Sequence, residues 1–101
     1  MKKYLLLILF FVCISTLAQT KVSGHVYDDA NDPVPYVNIY FEGTSIGTST
    51  DENGTYYIED DETHETIVYS FVGFQTQKVK LTQKVNYKFN VVLKEDAATL
   101  D

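Results

Sequence analysis

The chain has no arginine and no tryptophan, only two prolines and two histidines, and a single cysteine, Cys13. Each shortage excludes something. One cysteine cannot close an intrachain disulfide, so an exported form of this chain must be held by packing alone. Eight lysines stand against 14 carboxylates, a formal net charge of −6, and such a surface repels nucleic-acid phosphates and anionic lipid headgroups. Nucleic acid is not an expected partner. Long hydrophobic runs are also lacking: the longest, Leu5 to Ile14, is about half of the roughly 20 apolar residues that a membrane-spanning helix needs.

What that run does have is the right flanks. Lys2 and Lys3 precede it, and Ser15-Thr16-Leu17-Ala18 follows with small residues where a signal peptidase reads, so residues 1–18 are expected to be a secretory signal peptide cleaved after Ala18. An uncleaved anchor is the alternative. Lipidation at Cys13 fits less well, because a lipoprotein signal wants a small residue just before the cysteine and Val12 stands there. Cleavage would leave 83 of the 101 residues, with six lysines, no cysteine and all 14 carboxylates, a formal charge of 6 minus 14, or −8. A cysteine-free exported domain suits a bacterial exported protein better than a small eukaryotic secreted one. At this size roughly 60 to 65 percent of the unfolded surface is buried, enough for one core and one domain.

Apolar and polar residues alternate at period two through most of the mature chain, and nothing persists at helical spacing. Val22, Gly24 and Val26 share one face of a strand over Lys21–Tyr27, and Val37, Ile39 and Phe41 one face of a strand over Tyr36–Phe41. The turn cluster Asp28–Pro35 separates them, since two prolines stop a strand there. Ser45–Thr50 predicts a short polar strand or bend, Asp51-Glu52-Asn53-Gly54 a tight Asn-Gly hairpin turn, and Thr55–Ile58 a return strand. The acidic stretch Glu59–Glu62 predicts a loop. Strands follow over Thr66–Phe71, Thr76–Leu81 and Tyr87–Leu93, the last with Tyr87, Phe89, Val91 and Leu93 on one face. About seven strands at this spacing predict an all-β, antiparallel β-sandwich. Residues 95–101 lose the alternation and read as the start of a linker or tail.

The turn residues carry a resemblance. Val22-Ser23-Gly24-His25-Val26, Pro33-Val34-Pro35-Tyr36-Val37-Asn38-Ile39, the stretch from Gly43 to Gly54, and Ser70-Phe71-Val72-Gly73-Phe74 resemble the carboxypeptidase-regulatory-like domain of Bacteroidetes over residues 20–94. The resemblance implies a transthyretin-like (prealbumin-like) sandwich. It also implies a place just after the signal peptide of outer-membrane proteins such as SusC-type TonB-dependent receptors. Leu93-Lys94-Glu95 followed by Thr99-Leu100-Asp101 resembles the passage from that module toward the rest of the receptor, so the chain is either a fragment or a stand-alone copy.

No peptidase chemistry accompanies the resemblance. A zinc carboxypeptidase needs a His and a Glu three residues apart plus a distant His, whereas Ile67 stands three residues after His64 and Asp28 three after His25. Both histidines read as surface residues. No serine lies in a nucleophile elbow, and no enzyme activity is expected. Asp51, Asn53 and Glu62 occupy the first, third and twelfth places of an EF-hand-like loop, but Tyr56 fills the sixth, where glycine is needed. Asp28, Asp29 and Asp32, or Asp60, Asp61 and Glu62, offer weak calcium ligands at best, and neither a metal nor another cofactor is expected.

The tyrosines leave one functional reading open. With Val37, Ile39 and Phe41 inward, Tyr36 and Tyr40 face outward with Asn38 between them, and Tyr27 lies on an outer face nearby. Exposed tyrosines anchor protein interfaces or stack on sugar rings, and they also stabilise sheets without any ligand. Tyr27, Tyr36, Asn38 and Tyr40 are therefore the candidate interaction surface. The expected function is non-catalytic: an accessory module of an outer-membrane receptor in nutrient uptake, with a protein partner, or alternatively an independent module that binds protein or glycan. The mature domain is not expected to span a membrane.

Overall fold

A computed structural model describes residues 19–96. The expected signal peptide and the last five residues lie outside the described residues. Eight strands form: β1 Thr20–Asp28, β2 Asn38–Phe41, β3 Gly47–Ser49, β4 Thr55–Asp60, β5 Thr66–Ser70, β6 Gln77–Lys80, β7 Val85–Asn86 and β8 Val91–Leu93. They make two sheets, one in the order β3-β2-β5-β6 and one in which β1 lies between β4 and the pair β7 and β8. The result is the all-β sandwich that the period-two alternation predicts.

Burial follows the alternation. Val22 and Val26 of β1, Ile39 and Phe41 of β2, and Tyr56 and Ile58 of β4 meet Ile67, Tyr69, Val91 and Leu93 in one core between the sheets. In β5 three consecutive residues, Ile67, Val68 and Tyr69, are buried. Ile67 and Tyr69 belong to the core between the sheets and Val68 does not, so Val68 is covered on the outer face, where Tyr40 and Lys78 flank it in register. A central strand covered on both faces reads as an unbroken apolar run.

The chain's last strand differs from the continuous element expected over Tyr87–Leu93. Tyr87 is 61 % exposed while Val91 and Leu93 are buried, because Lys88 takes a positive φ of 68° and breaks the run in two. Both pieces pair with β1 in parallel, Lys21 opposite Val85 and Tyr27 opposite Val92, beside the antiparallel pairings that make up the rest of both sheets. Between them the ladder is bridged by other means: the Phe89 N–H donates to the Ser23 carbonyl at 2.8 Å, and the His25 N–H donates to Asn90 Oδ1 at 2.9 Å. A side-chain amide thus stands in for a missing backbone acceptor. Gly24 makes this approach possible, since a Cβ at that position would collide with the Phe89 backbone.

Two turns share one construction. Asp28 Oδ1 accepts from the N–H groups of Ala30 and Asp32, each at 2.9 Å, and Asp51 Oδ1 accepts from those of Asn53 and Thr55, each at 2.9 Å. In each turn the residue three places on has a positive φ, Asn31 at 66° and Gly54 at 75°, where asparagine and glycine are tolerated best. The second turn is docked on β1 through a 2.8 Å bond from the Val26 N–H to the Gly54 carbonyl.

The stretch Glu59–Glu62 departs from the expected loop. β4 runs on through Glu59 and Asp60, which pair with Lys21 and Thr20; a lysine opposite the first carboxylate and a strand partner for each backbone outweigh the repulsion between neighbours. The turn begins only at Asp61.

Candidate functional site

The candidate interaction residues fall on both outer faces. Asn38 and Tyr40 sit on β2 beside β3, in register with Ser49 and Gly47 respectively, and both line an open groove of about 590 Å³ over this hairpin. Tyr36 is 62 % exposed and does not line it. Its backbone takes a φ of 62°, held by the donation of its N–H to the Thr50 carbonyl at 3.1 Å. Tyr27 lies on the opposite sheet, half-buried, with its ring stacked on His25 at 5.9 Å between centroids. The structure therefore brings together Asn38 and Tyr40, leaves Tyr36 outside the groove, and places Tyr27 on the other sheet.

The groove owes its shape to small residues. Its lining includes Ser45, Gly47, Thr48 and Ser49, and at Gly47 any Cβ would press on the Ile39 carbonyl at 2.9 Å and on Tyr40 Cβ at 3.2 Å. The bend between β2 and β3 is stiffened by Thr44, whose Oγ1 donates to the Phe41 carbonyl at 2.8 Å and accepts from the Ile46 N–H at 3.1 Å. Gly43, at φ 79°, completes the reversal. No lining residue carries a charge.

Below the groove, Thr50 is a residue that alternation does not single out. It is buried, its Oγ1 donates to the Val34 carbonyl at 2.8 Å, and the same oxygen accepts from the Val37 N–H at 2.9 Å. One hydroxyl thus fixes the entry into β2 and with it the position of Asn38.

The histidines are not two surface residues. His64 has a side chain only 11 % exposed, with Nε2 2.5 Å from Asp60 Oδ2 and its ring stacked on Phe41 at 4.3 Å and 9°. Its N–H donates to Thr20 Oγ1 at 3.0 Å, and that hydroxyl donates to the Glu62 carbonyl at 2.9 Å. The bend after β4 folds Asp60, Glu62 and His64 back together, with ligand-type atoms within 4.8 Å of one another. The hydrogen bond from His64 holds the Asp60 carboxyl below its ordinary value. This arrangement ties the start of β1 to the β4–β5 turn; the His–carboxylate bond is already made, and no serine hydroxyl is hydrogen-bonded to either histidine among the described residues.

A third polar group lies in the core. Tyr56 Oη donates to the Phe89 carbonyl at 2.6 Å and lies 2.7 Å from Tyr69 Oη. Since a carbonyl only accepts, Tyr69 must donate to Tyr56. Burial pushes Tyr56 up to about 12 and raises Tyr69 further. Both rings remain neutral in the folded protein, and their role is to satisfy the carbonyl exposed by the break between β7 and β8.

These features define a class: a small β-sandwich with a parallel edge and, among the described residues, no assembled catalytic group. Within it, the chain belongs to the CarboxypepD_reg-like domain family, which it matches over residues 22–101. It is 35 % identical over 104 residues to the TonB-dependent receptor SusC of Bacteroides thetaiotaomicron and 32 % identical over 100 residues to the TonB-dependent receptor P39 of Formosa agariphila. These alignments take in 100 % and 97 % of the chain but only 10 % and 9 % of the receptors, so the chain spans about a tenth of their length. Among solved structures it resembles a type II cohesin–X-dockerin complex from Acetivibrio cellulolyticus, with a TM-score of 0.62, 18 % identity and coverage of 75 % of this chain and 58 % of that one. A streptococcal ancillary pilin gives a TM-score of 0.51 at 12 % identity over 78 % of this chain and 33 % of that one. At these identities the likeness is one of fold.

Proposed function

We propose that this chain is a non-catalytic accessory domain of a TonB-dependent receptor, exported to the periplasm or outer membrane and serving nutrient uptake by docking on the receptor's own later segments or on a periplasmic protein. The observation that carries the reading is that nearly the whole chain aligns with about a tenth of each receptor. On this reading residues 1–18 are the signal peptide, 20–94 the module, and 95–101 the start of the connection.

The fold supports such a role. β1 begins at Thr20 beside Asp60 and ends at Asp28 beside Leu93, so entry and exit lie at opposite ends of the sandwich, about 30 Å apart for nine extended residues. The exit is tied down: the Gln75 N–H donates to the Lys94 carbonyl at 2.8 Å, the Asp96 N–H donates to the Gly73 carbonyl at 2.9 Å, and Phe74 bridges Glu95. A segment anchored in this way transmits the module's orientation to whatever follows it.

The test is to read the gene past the codon for Asp101. A frame that continues into a plug and β-barrel is expected. An immediate stop codon overturns the receptor reading and leaves an independent exported module.

A further inference from the structure

We propose that the groove over the β2–β3 hairpin is a binding site for a neutral saccharide, a stretch of uncharged hexose units, with Asn38, Tyr40, Ser45 and Ser49 as its contact residues. The inference does not depend on the receptor reading, since an accessory domain needs no such groove. Its basis is what lines the groove and what does not.

The mature chain carries 14 carboxylates and six lysines in 83 residues, yet all eight lining residues are uncharged. A groove from which charge is excluded, on a surface otherwise dense in it, matches an uncharged ligand and offers nothing to hold an anion or a cation. Nor is the lining apolar enough for a lipid. The hydroxyls of Ser45 and Ser49 and the Asn38 amide line the groove beside the half-buried ring of Tyr40, while Thr48, opposite the core residue Ile39, turns its side chain to the other face; the Ser45, Ser49 and Asn38 groups have no hydrogen-bond partner among the described residues. Free donors and acceptors beside one aromatic ring suit a ligand that has hydroxyls at its rim and C–H bonds on its face. The volume of about 590 Å³ falls within the roughly 300–1,000 Å³ usual for small-ligand sites.

The site is also built to stay open. Gly47 keeps the space opposite Tyr40 clear, Thr44 stiffens the bend, and Thr50 locks the entry to Asn38. A preformed shallow site of this kind loses little order on binding, and its affinity is set by a few contacts. A dissociation constant of about 1 mM is expected.

The experiment is a titration of the ¹⁵N-labelled chain with maltohexaose, cellohexaose and laminarihexaose in turn, and with polygalacturonate as the charged probe, followed by amide chemical shifts. At least one neutral saccharide is expected to move the amides of Asn38, Tyr40, Ser45 and Ser49 saturably. Asn38→Ala, an exposed change that leaves the core untouched, is expected to weaken that binding about tenfold, and Ser49→Glu to abolish it by placing a charge in the groove. Shifts that cluster elsewhere, no saturable shift with any of the three, an unaltered affinity in both variants, or a groove that responds to polygalacturonate alone would each overturn the proposal.

Discussion

Two tyrosines show how a single atom can decide a substitution's cost. Tyr56 Oη both donates to Phe89 and accepts from Tyr69, so Tyr56→Phe strands a buried carbonyl and a buried hydroxyl together, whereas Tyr69→Phe removes one donor and leaves the Phe89 carbonyl served. Leaving a buried polar group unpaired costs about 1–3 kcal/mol, against about 1 for a typical exchanged hydrogen bond. Chemical denaturation is expected to show Tyr56→Phe as the more damaging change by at least about 1 kcal/mol; equal losses would mean that the network is not arranged in this order. Both hydroxyls ionise above their ordinary value of 10.0 when folded. The unfolded chain therefore releases these protons first as the pH rises, and the stability from keeping them neutral is full below pH 10 and declines above it toward about 12. Alkaline unfolding that sets in above pH 10, and later in Tyr69→Phe, checks the sign. Gly24→Ala belongs at the same scale: a methyl group there meets the Phe89 backbone, which cannot swing aside as a side chain would, and a loss of about 1–3 kcal/mol or more is expected by thermal melting.

Among the elements, the β4–β5 turn is held at one end of the sandwich by Asp60, His64, Phe41 and Thr20. The Asp60 carboxyl is depressed by its hydrogen bond to His64, so the folded protein holds the charged form more readily than the unfolded chain does. That contribution is complete above the ordinary carboxyl value of 3.8 and is lost as the pH falls through the depressed folded value. Asp60→Asn is expected to flatten the acid limb of the stability profile while leaving its alkaline limb in place, measured by denaturation across pH. An acid limb unchanged by the substitution would locate the acid sensitivity in other carboxylates. The two aspartate-built turns make a related point, because Asp51 satisfies two backbone N–H groups at once. Asp51→Ala should cost about 1 kcal/mol, as loss of a comparable cap does, and Asp28→Ala about the same.

Taken as one molecule, the module is a sandwich with opposed entry and exit, acidic turns at its exit end in Asp28, Asp29, Asp32, Asp51 and Glu52, and an uncharged groove on one outer face. Its stability has little reserve: a domain of this size has a total of about 5–15 kcal/mol, and truncating one large core residue such as Phe41 to Ala costs about 3–5.

Much of this was legible along the chain, for reasons that period-two patterning makes plain. Val22, Val26, Val37, Ile39 and Phe41 alternate with polar residues, and burial follows the alternation because strand side chains point to opposite faces in turn; Asp51–Gly54 specified its own turn because its hydrogen bonds are local. Asn38 and Tyr40 could be placed together because they are two residues apart on one strand. Tyr27 could not be joined to or separated from them, since which sheet a strand enters is settled by pairing across the sequence. The break at Lys88, the parallel edge, the burial of His64 against Phe41, and the hydroxyl of Thr50 all arise from contacts between segments far apart in the chain. Local geometry and alternation are properties of neighbours, so the sequence by itself determined most of the strands, the inward faces of β1, β2 and β4, and the Asp51–Gly54 turn, but not the extension of β4 through Asp60 or the break that leaves Tyr87 exposed. Register, the choice of sheet and the meeting of distant polar groups depend on the free energy of the whole packed core, and only the tertiary structure decided them.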